Sequence, residues 1–486
     1  MPLPPHKTKI VATIGPASRE SAMLQRLILA GLNVARLNFS HADFATHAEN
    51  ITRIRSAAAA VGSEVTLMAD LPGPKMRIGQ IQPDPIDLVA GNPFSLRPGN
   101  DTGNETGACV SFDPLPRVVH PGDNLFLNDG LIQLRAERVE NDVVHCRVVV
   151  GGELRSRKGL NLPGIDLGMS AFTDEDRECL RFALEHGVEA VSQSFVATAE
   201  DVLAVRQTAK ELGYAPFIIA KIERAGALER LDEILAVADG IMIARGDLGV
   251  EVPIERIAVL QKQIMRKAVH AGKPVITATQ MLESMTQSRQ PTRAEATDVA
   301  NAILDGTDCV MLSAESAIGR FPVEAVSTLA RIAAATEPHR SRQEARELMT
   351  RSEAARPCAM SDLISMSVER VLESADAAAV IVPTRSGATA RRLARFRLPV
   401  WVAAVSPEAR ACAALRFSYG VTPVLLPEAL EAWDVAARKW IQTNELPGDL
   451  AVLVQGPSRL RPDRNHTLEL IRLSAQSDPE GADGFG

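Results

Sequence analysis

Four ionic side chains within residues 217–251 carry the strongest chemical signal in this chain: Lys221, Glu223, Arg245 and Asp247. The stretch FIIAKIERAGALERLDEILAVADGIMIARGDLGVE reads as strand, helix, strand, with apolar runs at 217–220 and 240–244. Leu228, Leu231, Ile234 and Leu235 give helical spacing over 225–236. So compact a unit implies two parallel strands joined by a crossover helix. Lys221 and Glu223 follow the first strand, and Arg245 and Asp247 follow the second. Ionic groups where buried strands end are costly without partners, so this cluster marks a site that handles a metal ion and an anion. Glu223 and Asp247 supply hard oxygen ligands suited to Mg2+, and no histidine pair has zinc spacing. Lys221 could act as a Schiff-base amine or as a fixed charge; beside a carboxylate and a divalent ion the charged role is favoured.

The elements that must position these groups form a repeating βα rhythm. Strands are predicted near residues 10, 34, 66, 190, 218, 241, 275 and 310, separated by helices. Thr173 before Asp174-Glu175-Asp176 is one helix start. Another follows Pro253, with Ile254, Ile257, Ala258, Ile264, Met265 and Ala268 predicted on one face. Eight βα units, with no G-x-G-x-x-G after the first strand, point to an α/β fold of the (β/α)8 TIM-barrel type and not to an open doubly wound sheet. The rhythm stops between Leu71 and Leu167. Gly, Pro and alternating strands there, with turn signals at Asp129-Gly130 and Glu140-Asn141-Asp142, predict an inserted small β-barrel without a long helix. After a polar connecting segment at 338–358, a C-terminal α/β domain is predicted, with strands at 377–384, 399–405 and 449–454 and a helix at 428–442. The expected division is 1–70 with 168–340 as barrel, 71–167 as insert and 341–486 as C-terminal domain. The tail SDPEGADGFG is expected to be disordered.

Composition sets the class. The 486 residues are 46% hydrophobic and 23% charged, with net charge −7, which suits a soluble multidomain enzyme and offers no basic surplus for nucleic acid. Aromatic residues are only 4%, too few for extended base-stacking platforms. Six scattered cysteines without CxxC spacing fit reduced thiols in the cytoplasm. No apolar run approaches the ~20 residues that cross a bilayer, and MPLPPHKTK lacks a signal-peptide core. The expectation is a cytoplasmic protein with no membrane partner.

Strand C-terminal ends converge on one face of such a barrel, where activity sits. That face collects Arg36, Asn38 and Ser40, then Asp70, Ser194, Lys221, Glu223, Arg245, Asp247, Thr279, Ser313 and Glu315. Cations, carboxylates and hydroxyls drawn from so many separate strands form a constellation that turning requirements alone do not explain.

TKIVATIGPAS, NVARLNFSHA, KGLNLPG, AKIE, DGIMIARGDLGVEVP, ATQMLESM, PTRAEATDVANAILDGTDCVMLSAES and FPVEAV, in this order, resemble the pyruvate kinase family from Thr8 to about Thr336. The resemblance implies phosphoryl transfer from phosphoenolpyruvate to ADP, giving pyruvate and ATP, with Mg2+ (or Mn2+) held by Glu223 and Asp247. It places Lys221 against the transferring phosphoryl group and the developing enolate, and Arg36 on phosphate. Gly246 and Asp247 N–H groups with Thr279 would hold the substrate carboxylate. Thr279 and Ser313 would lie where the enolate is protonated, with the donor left open between them and a water relay. The insert resembles a mobile lid with Arg77 and Lys158 facing the nucleotide, alongside Asn38 and His41, and its closure would exclude water. The family usually forms homotetramers.

One run departs from the family. Where many members read D-T-K-G-P-E-I-R at the third strand, this chain reads Asp70-Leu71-Pro72-Gly73-Pro74-Lys75-Met76-Arg77. The potassium-ligating Thr is Leu71 and the Glu is Lys75, although Asn38, Ser40 and Asp70 are kept. A built-in ammonium supplies the charge of a bound cation, so potassium is expected not to be required. In the C-terminal domain, Thr384, Arg385, Ser386, Gly387 and Thr389 follow a strand and open a helix, a cradle for phosphate that resembles the family's effector loop. The basic run at 456–467 could complete it, and a phosphorylated metabolite is the expected effector. Two other readings stand beside this one: another Mg2+-dependent aldolase or mutase barrel acting on phosphoenolpyruvate or pyruvate, and a non-catalytic metabolite sensor.

Overall fold

The computed structural model describes residues 3–340, 359–426, 432–456 and 465–473. Eight parallel strands close into a barrel: β1 (Lys9–Thr13), β2 (Leu32–Asn38), β3 (Thr66–Leu71), β4 (Ala190–Gln193), β5 (Phe217–Ile222), β6 (Gly240–Ala244), β7 (Val275–Ala278) and β8 (Cys309–Leu312). Each strand pairs with its sequence neighbours and β8 returns to β1. The strands are nearly unbroken apolar runs because both faces are covered, one by the barrel interior and one by helices. Two pairings carry the site: Asn38 lies beside Asp70, and Asp70 beside Ser192.

Local sequence sets the helix boundaries. Asp43 caps Phe44–Ala60 by accepting from the Thr46 N–H, and Thr173 with Asp176 forms a reciprocal capping box on Asp174–Glu185. Two helical expectations change. The crossover helix breaks at Arg230, where φ is −105° and ψ is 17°, giving Ala225–Glu229 and Leu231–Val237. The helix after Pro253 begins as a 3-10 turn, Ile254–Arg256, before Ile257–His270. The tighter turn shifts the helical phase, so Leu260, Ile264, Met265 and Ala268 form the buried stripe while Ile254 and Ala258 are exposed.

The insert leaves the barrel through Leu71-Pro72-Gly73-Pro74. Gly73 has φ +66°, and a Cβ there would meet Phe195 Cδ2 at 3.0 Å, so both conformation and space require glycine. Its N–H donates to Asp176 Oδ1 at 2.8 Å. The insert is a six-stranded sheet in the order Leu160–Asn161, Asn124–Leu127, Ile132–Glu140, Val143–Val150, Pro93–Pro98, Gly107–Val110. Arg77 bridges to Gly159 at one edge and Ile78 to Val110 at the other, which stitches the two edges around a single core that includes Phe94, Leu125, Leu134 and Val144. The hairpin between Glu140 and Val143 turns on Asn141 and Asp142, both at positive φ, as its two-residue loop requires.

The chain divides into two compact units, Ile10–Leu329, and Met1–Lys9 with Ala330–Gly486. The second contains a five-stranded sheet in the order Val421–Leu425, Trp401–Ser406, Ala377–Pro383, Leu450–Gln455, Thr467–Arg472. The last strand, which the sequence reading did not anticipate, runs antiparallel to its neighbour. Residues 341–358 of the predicted connecting segment, 428–431 of the predicted helix, 457–464 of the basic run and the tail lie outside the described residues.

Candidate active site

Residues from five adjacent strands, β1 to β5, meet at the C-terminal end of the barrel in one buried ionic lattice. Asp70 at the end of β3 is its centre. Arg36 on β2 donates to Asp70 Oδ2 from Nε (2.9 Å) and Nη2 (2.5 Å), and its Nη1 donates to Thr13 Oγ1 at 2.7 Å. Asp70 Oδ1 accepts from Ser192 Oγ at 2.7 Å and lies 3.3 Å from Lys221 Nζ. Lys221 on β5 has two closer partners, Glu223 Oε1 at 2.8 Å and Ser194 Oγ at 2.7 Å. Ser194 in turn donates to the Leu71 carbonyl at 2.7 Å, and Glu223 Oε2 accepts from the Phe195 N–H at 2.7 Å.

Electrostatics follow from this packing. Burial alone would raise Asp70, but the Lys221 and Arg36 charges and the hydrogen bonds from Ser192 and Arg36 leave it below the ordinary carboxylate range. Burial pulls Lys221 down, and Asp70 and Glu223 overcome it, so the ammonium is held charged above its ordinary value. Asp247 differs. It sits in the first turn of the short helix Arg245–Glu251, which starts where β6 stops. Burial, then the neighbouring Glu223, push its carboxyl up to about 7. Among the described residues no hydrogen-bond donor reaches it. A half-buried carboxylate without a donor, beside a second carboxylate, is a donor set that fits a hard divalent cation sharing its shell with water or substrate oxygens.

Arg245 belongs to the frame around the site. Its guanidinium bonds to Asp298 (2.8 and 2.7 Å), to the Thr279 carbonyl (2.9 Å) and to the Ala278 carbonyl (3.2 Å). It thereby ties the end of β6 to the end of β7 and to the helix Arg293–Asp305. Thr279 has φ +66° and Gln280 φ +51°, an uncommon conformation for a β-branched residue and one that clusters at functional sites. The turn aims Thr279 Oγ1 at the Gly246 N–H, 2.8 Å away. Ser313 follows β8, and its N–H donates to the buried Glu315 carboxylate at 2.7 Å.

At the mouth, Asn38 Oδ1 accepts from the Ser40 N–H at 3.0 Å. His41 is exposed, and burial of its ring edge, then Lys75, Arg77 and Arg36, hold it below its usual value. Lys75 is half-buried and its ammonium is lowered by burial, with Glu175 opposing. Leu71 is fully buried. Arg77 and Lys158 stand on neighbouring segments of the insert, where Ile78 N–H donates to the Lys158 carbonyl at 2.9 Å. The insert's turn at 128–130 reaches the barrel, for a Cβ on Gly130 would lie 3.2 Å from Val250.

Thr13, Ser192 and Asp298 were not singled out from sequence. Each is a common polar residue whose partner is distant in the chain, and Ser192 carried only a weak signal as a hydroxyl inside a buried strand.

The family model described as "Pyruvate kinase, barrel domain" matches residues 5–326, and "Pyruvate kinase, alpha/beta domain" matches 362–471. The chain belongs to the pyruvate kinase family. Pyruvate kinase from Thermococcus litoralis is 47% identical over 436 residues, 90% of this chain and 92% of the other. "Pyruvate kinase PKLR" from Homo sapiens is 41% identical over 480 residues, covering 94% of this chain and 83% of its own. A crystal structure of a pyruvate kinase from Cryptosporidium parvum superposes with TM-score 0.90 at 34% identity, over 97% of each chain. As a pyruvate kinase the chain is a glycolytic phosphotransferase: phosphoenolpyruvate and ADP are its substrates, pyruvate and ATP its products. The family uses a divalent metal. No described helix is long and apolar enough to cross a membrane.

Proposed function

We propose that the lattice around Lys221 is the phosphoryl-transfer centre, with Glu223 and Asp247 holding Mg2+ or Mn2+. The observation that supports this most directly is Lys221 itself: buried, held charged, and seated between Glu223, Ser194 and Asp70. In the reaction an oxygen of the ADP terminal phosphate bonds to phosphorus as the bond from phosphorus to the enol oxygen breaks, and the enolate gains a proton at carbon. Lys221 and Arg36 offset the negative charge that spreads over the phosphoryl oxygens and the enolate, and they need no reorganisation because their partners already fix them. A divalent ion held by Glu223 and Asp247 would supply positive charge to offset the negative charge developing on the substrates. The Gly246 and Asp247 N–H groups and Thr279 hold the substrate carboxylate; the hydroxyl that now accepts from Gly246 turns to share that role. Thr279 and Ser313 border the face where the enolate is protonated. Asn38, His41, Arg77 and Lys158 face the nucleotide, and closure of the insert excludes water.

The residues at the family's monovalent-cation position do not fit potassium. Leu71 presents no side-chain oxygen where the family's threonine would ligate the ion, and the half-buried Lys75 brings a positive charge to the same segment. We propose that Lys75 replaces that charge and that potassium is not required. We propose in addition that the protein is a cytoplasmic homotetramer whose C-terminal loop, with Thr384, Arg385, Ser386, Gly387 and Thr389, takes a phosphorylated metabolite. In that loop Thr384 Oγ1 accepts from the Gly387 N–H at 3.0 Å and Arg385 is exposed. Equilibrium binding of sugar phosphates and nucleotides tests the loop; a set of ligands whose binding is untouched by Arg385→Ala rejects it.

A lactate dehydrogenase-coupled assay for ADP-dependent pyruvate formation tests the centre. Turnover in the native protein and its loss in Lys221→Ala are expected. Full activity in Lys221→Ala overturns the mechanism, and pyruvate formation without ADP would favour an aldolase or mutase reading.

A further inference from the structure

We propose that Ser192 is a positioning residue that keeps Lys221 available to substrate by taking part of Asp70 for itself. The inference rests on the reading that Lys221 and Arg36 act on the transferring phosphoryl group. Ser192 is fully buried on β4, where its neighbour Val191 is the expected apolar type. It is the register partner of Asp70, so both side chains enter the same layer of the barrel. The Ser192 hydroxyl makes the shortest contact to Asp70 Oδ1, 2.7 Å against 3.3 Å for Lys221 Nζ. Lys221 meanwhile lies 2.8 Å from Glu223 and 2.7 Å from Ser194.

This inequality has a physical consequence. Oδ2 is occupied by two Arg36 nitrogens, so Oδ1 is the oxygen left for Lys221. A hydroxyl donating to Oδ1 withdraws part of its charge and fixes rotation of the carboxylate. Without the hydroxyl, Oδ1 regains its full charge and the carboxylate can turn to close on Lys221, drawing the ammonium away from Ser194 and Glu223 and down into the barrel. Arg36 is less exposed to that change, because Thr13 Oγ1 also holds its Nη1 at 2.7 Å. Loss of the hydroxyl should therefore act on the chemical step more than on substrate binding.

The test compares Ser192→Ala, Ser192→Cys and Ser192→Thr in the full chain by steady-state kinetics and thermal unfolding. Cys fills the serine volume with a much weaker donor, and Thr keeps the hydroxyl. Ala and Cys are expected to lower kcat about tenfold, with KM for phosphoenolpyruvate within about twofold and melting temperature within about 2 °C; Thr is expected to restore kcat. Native kcat in Ser192→Cys, or kcat falling only in step with melting temperature across the series, would show that Ser192 merely fills space and would overturn the proposal. Lys221→Met is the control for the underlying reading. If that variant keeps native turnover, the role of Lys221 is at fault, whatever the Ser192 series gives.

Discussion

Arg245 Nη2 lies 2.7 Å from Asp298 Oδ2, joining the first turn after β6 to the helix after β7. Arg245 is nearly buried and Asp298 is partly open to solvent, with side-chain exposures of 11% and 38%. The pair therefore keeps a short ion pair in a setting where water screens one partner. Because the same guanidinium also holds the Thr279 and Ala278 carbonyls, the pair fixes both Gly246 and the strained Thr279 turn.

Asp298→Ala should leave the Arg245 charge short of its partner. The expected cost is about 1–2 kcal/mol of stability, between the values for exposed and buried pairs, with kcat reduced and KM for ADP little changed. Urea unfolding and steady-state kinetics read the two effects. Unchanged stability and turnover would remove Arg245 from the bracing role.

Thr279→Val keeps the branched shape and deletes the oxygen that accepts the Gly246 N–H. A loss of roughly 1 kcal/mol in stability and on the order of 100-fold in kcat is expected, while Thr279→Ser retains most activity. The kcat ratio of the two variants measures the hydroxyl apart from the backbone strain.

Metal removal should abolish turnover, and Mg2+ or Mn2+ should restore it. Asp247→Asn is expected to raise the metal concentration for half-activation at least about tenfold, since the neutral amide is a poor ligand for a hard cation. Calorimetric titration of metal into the substrate-free variant gives a measure independent of activity, and native affinity there would rule Asp247 out as a ligand.

Native activity should be the same in tetramethylammonium and potassium buffers, whereas Lys75→Glu should be weakened without potassium and recover with it. A native enzyme silent without monovalent cations, and restored by potassium alone, would refute the assignment of Lys75.

Acid should destabilise the barrel through His47. Its Nε2 bonds to the His41 carbonyl at 2.9 Å, its ring stacks on Phe39 at 4.2 Å, and its buried Nδ1 has no partner among the described residues. Burial, opposed by the His41 carbonyl and Asp43, holds its folded pKa below the model-peptide value of 6.5. The unfolded chain therefore takes up a proton first. Stability is unaffected above that value and falls as pH drops from it toward the folded pKa. Urea midpoints at pH 7.5 and 5.5 should differ less in His47→Gln than in the native protein; equal slopes would exclude this histidine.

Much of the architecture is legible in the one-dimensional pattern. Apolar runs of strand length alternating with helical periodicity specify eight βα units, because a strand covered on both faces must be apolar throughout. Pro and Gly mark where the insert leaves, and Thr173 before its three acidic residues marks a helix start. Ionic residues at strand ends are legible for a related reason. Burial without partners is costly, so Lys221, Glu223 and Asp247 announce a site before any partner is known.

What the sequence by itself determined, then, is which residues would stand at the mouth of a barrel and to which enzyme family their order belongs. Only the tertiary structure decided how they divide the work of neutralising one another. Ser192 and Asp70 are 122 positions apart, and nothing local tells a serine in a buried strand that its neighbour will be a carboxylate. The phase of the helix after Pro253 was likewise set by a 3-10 turn that periodicity does not reveal. Distances of 2.7 and 3.3 Å around a single oxygen decide whether Lys221 leans toward Asp70 or toward substrate. Those distances come from strand register and barrel closure, which bring into contact side chains that the chain order keeps far apart.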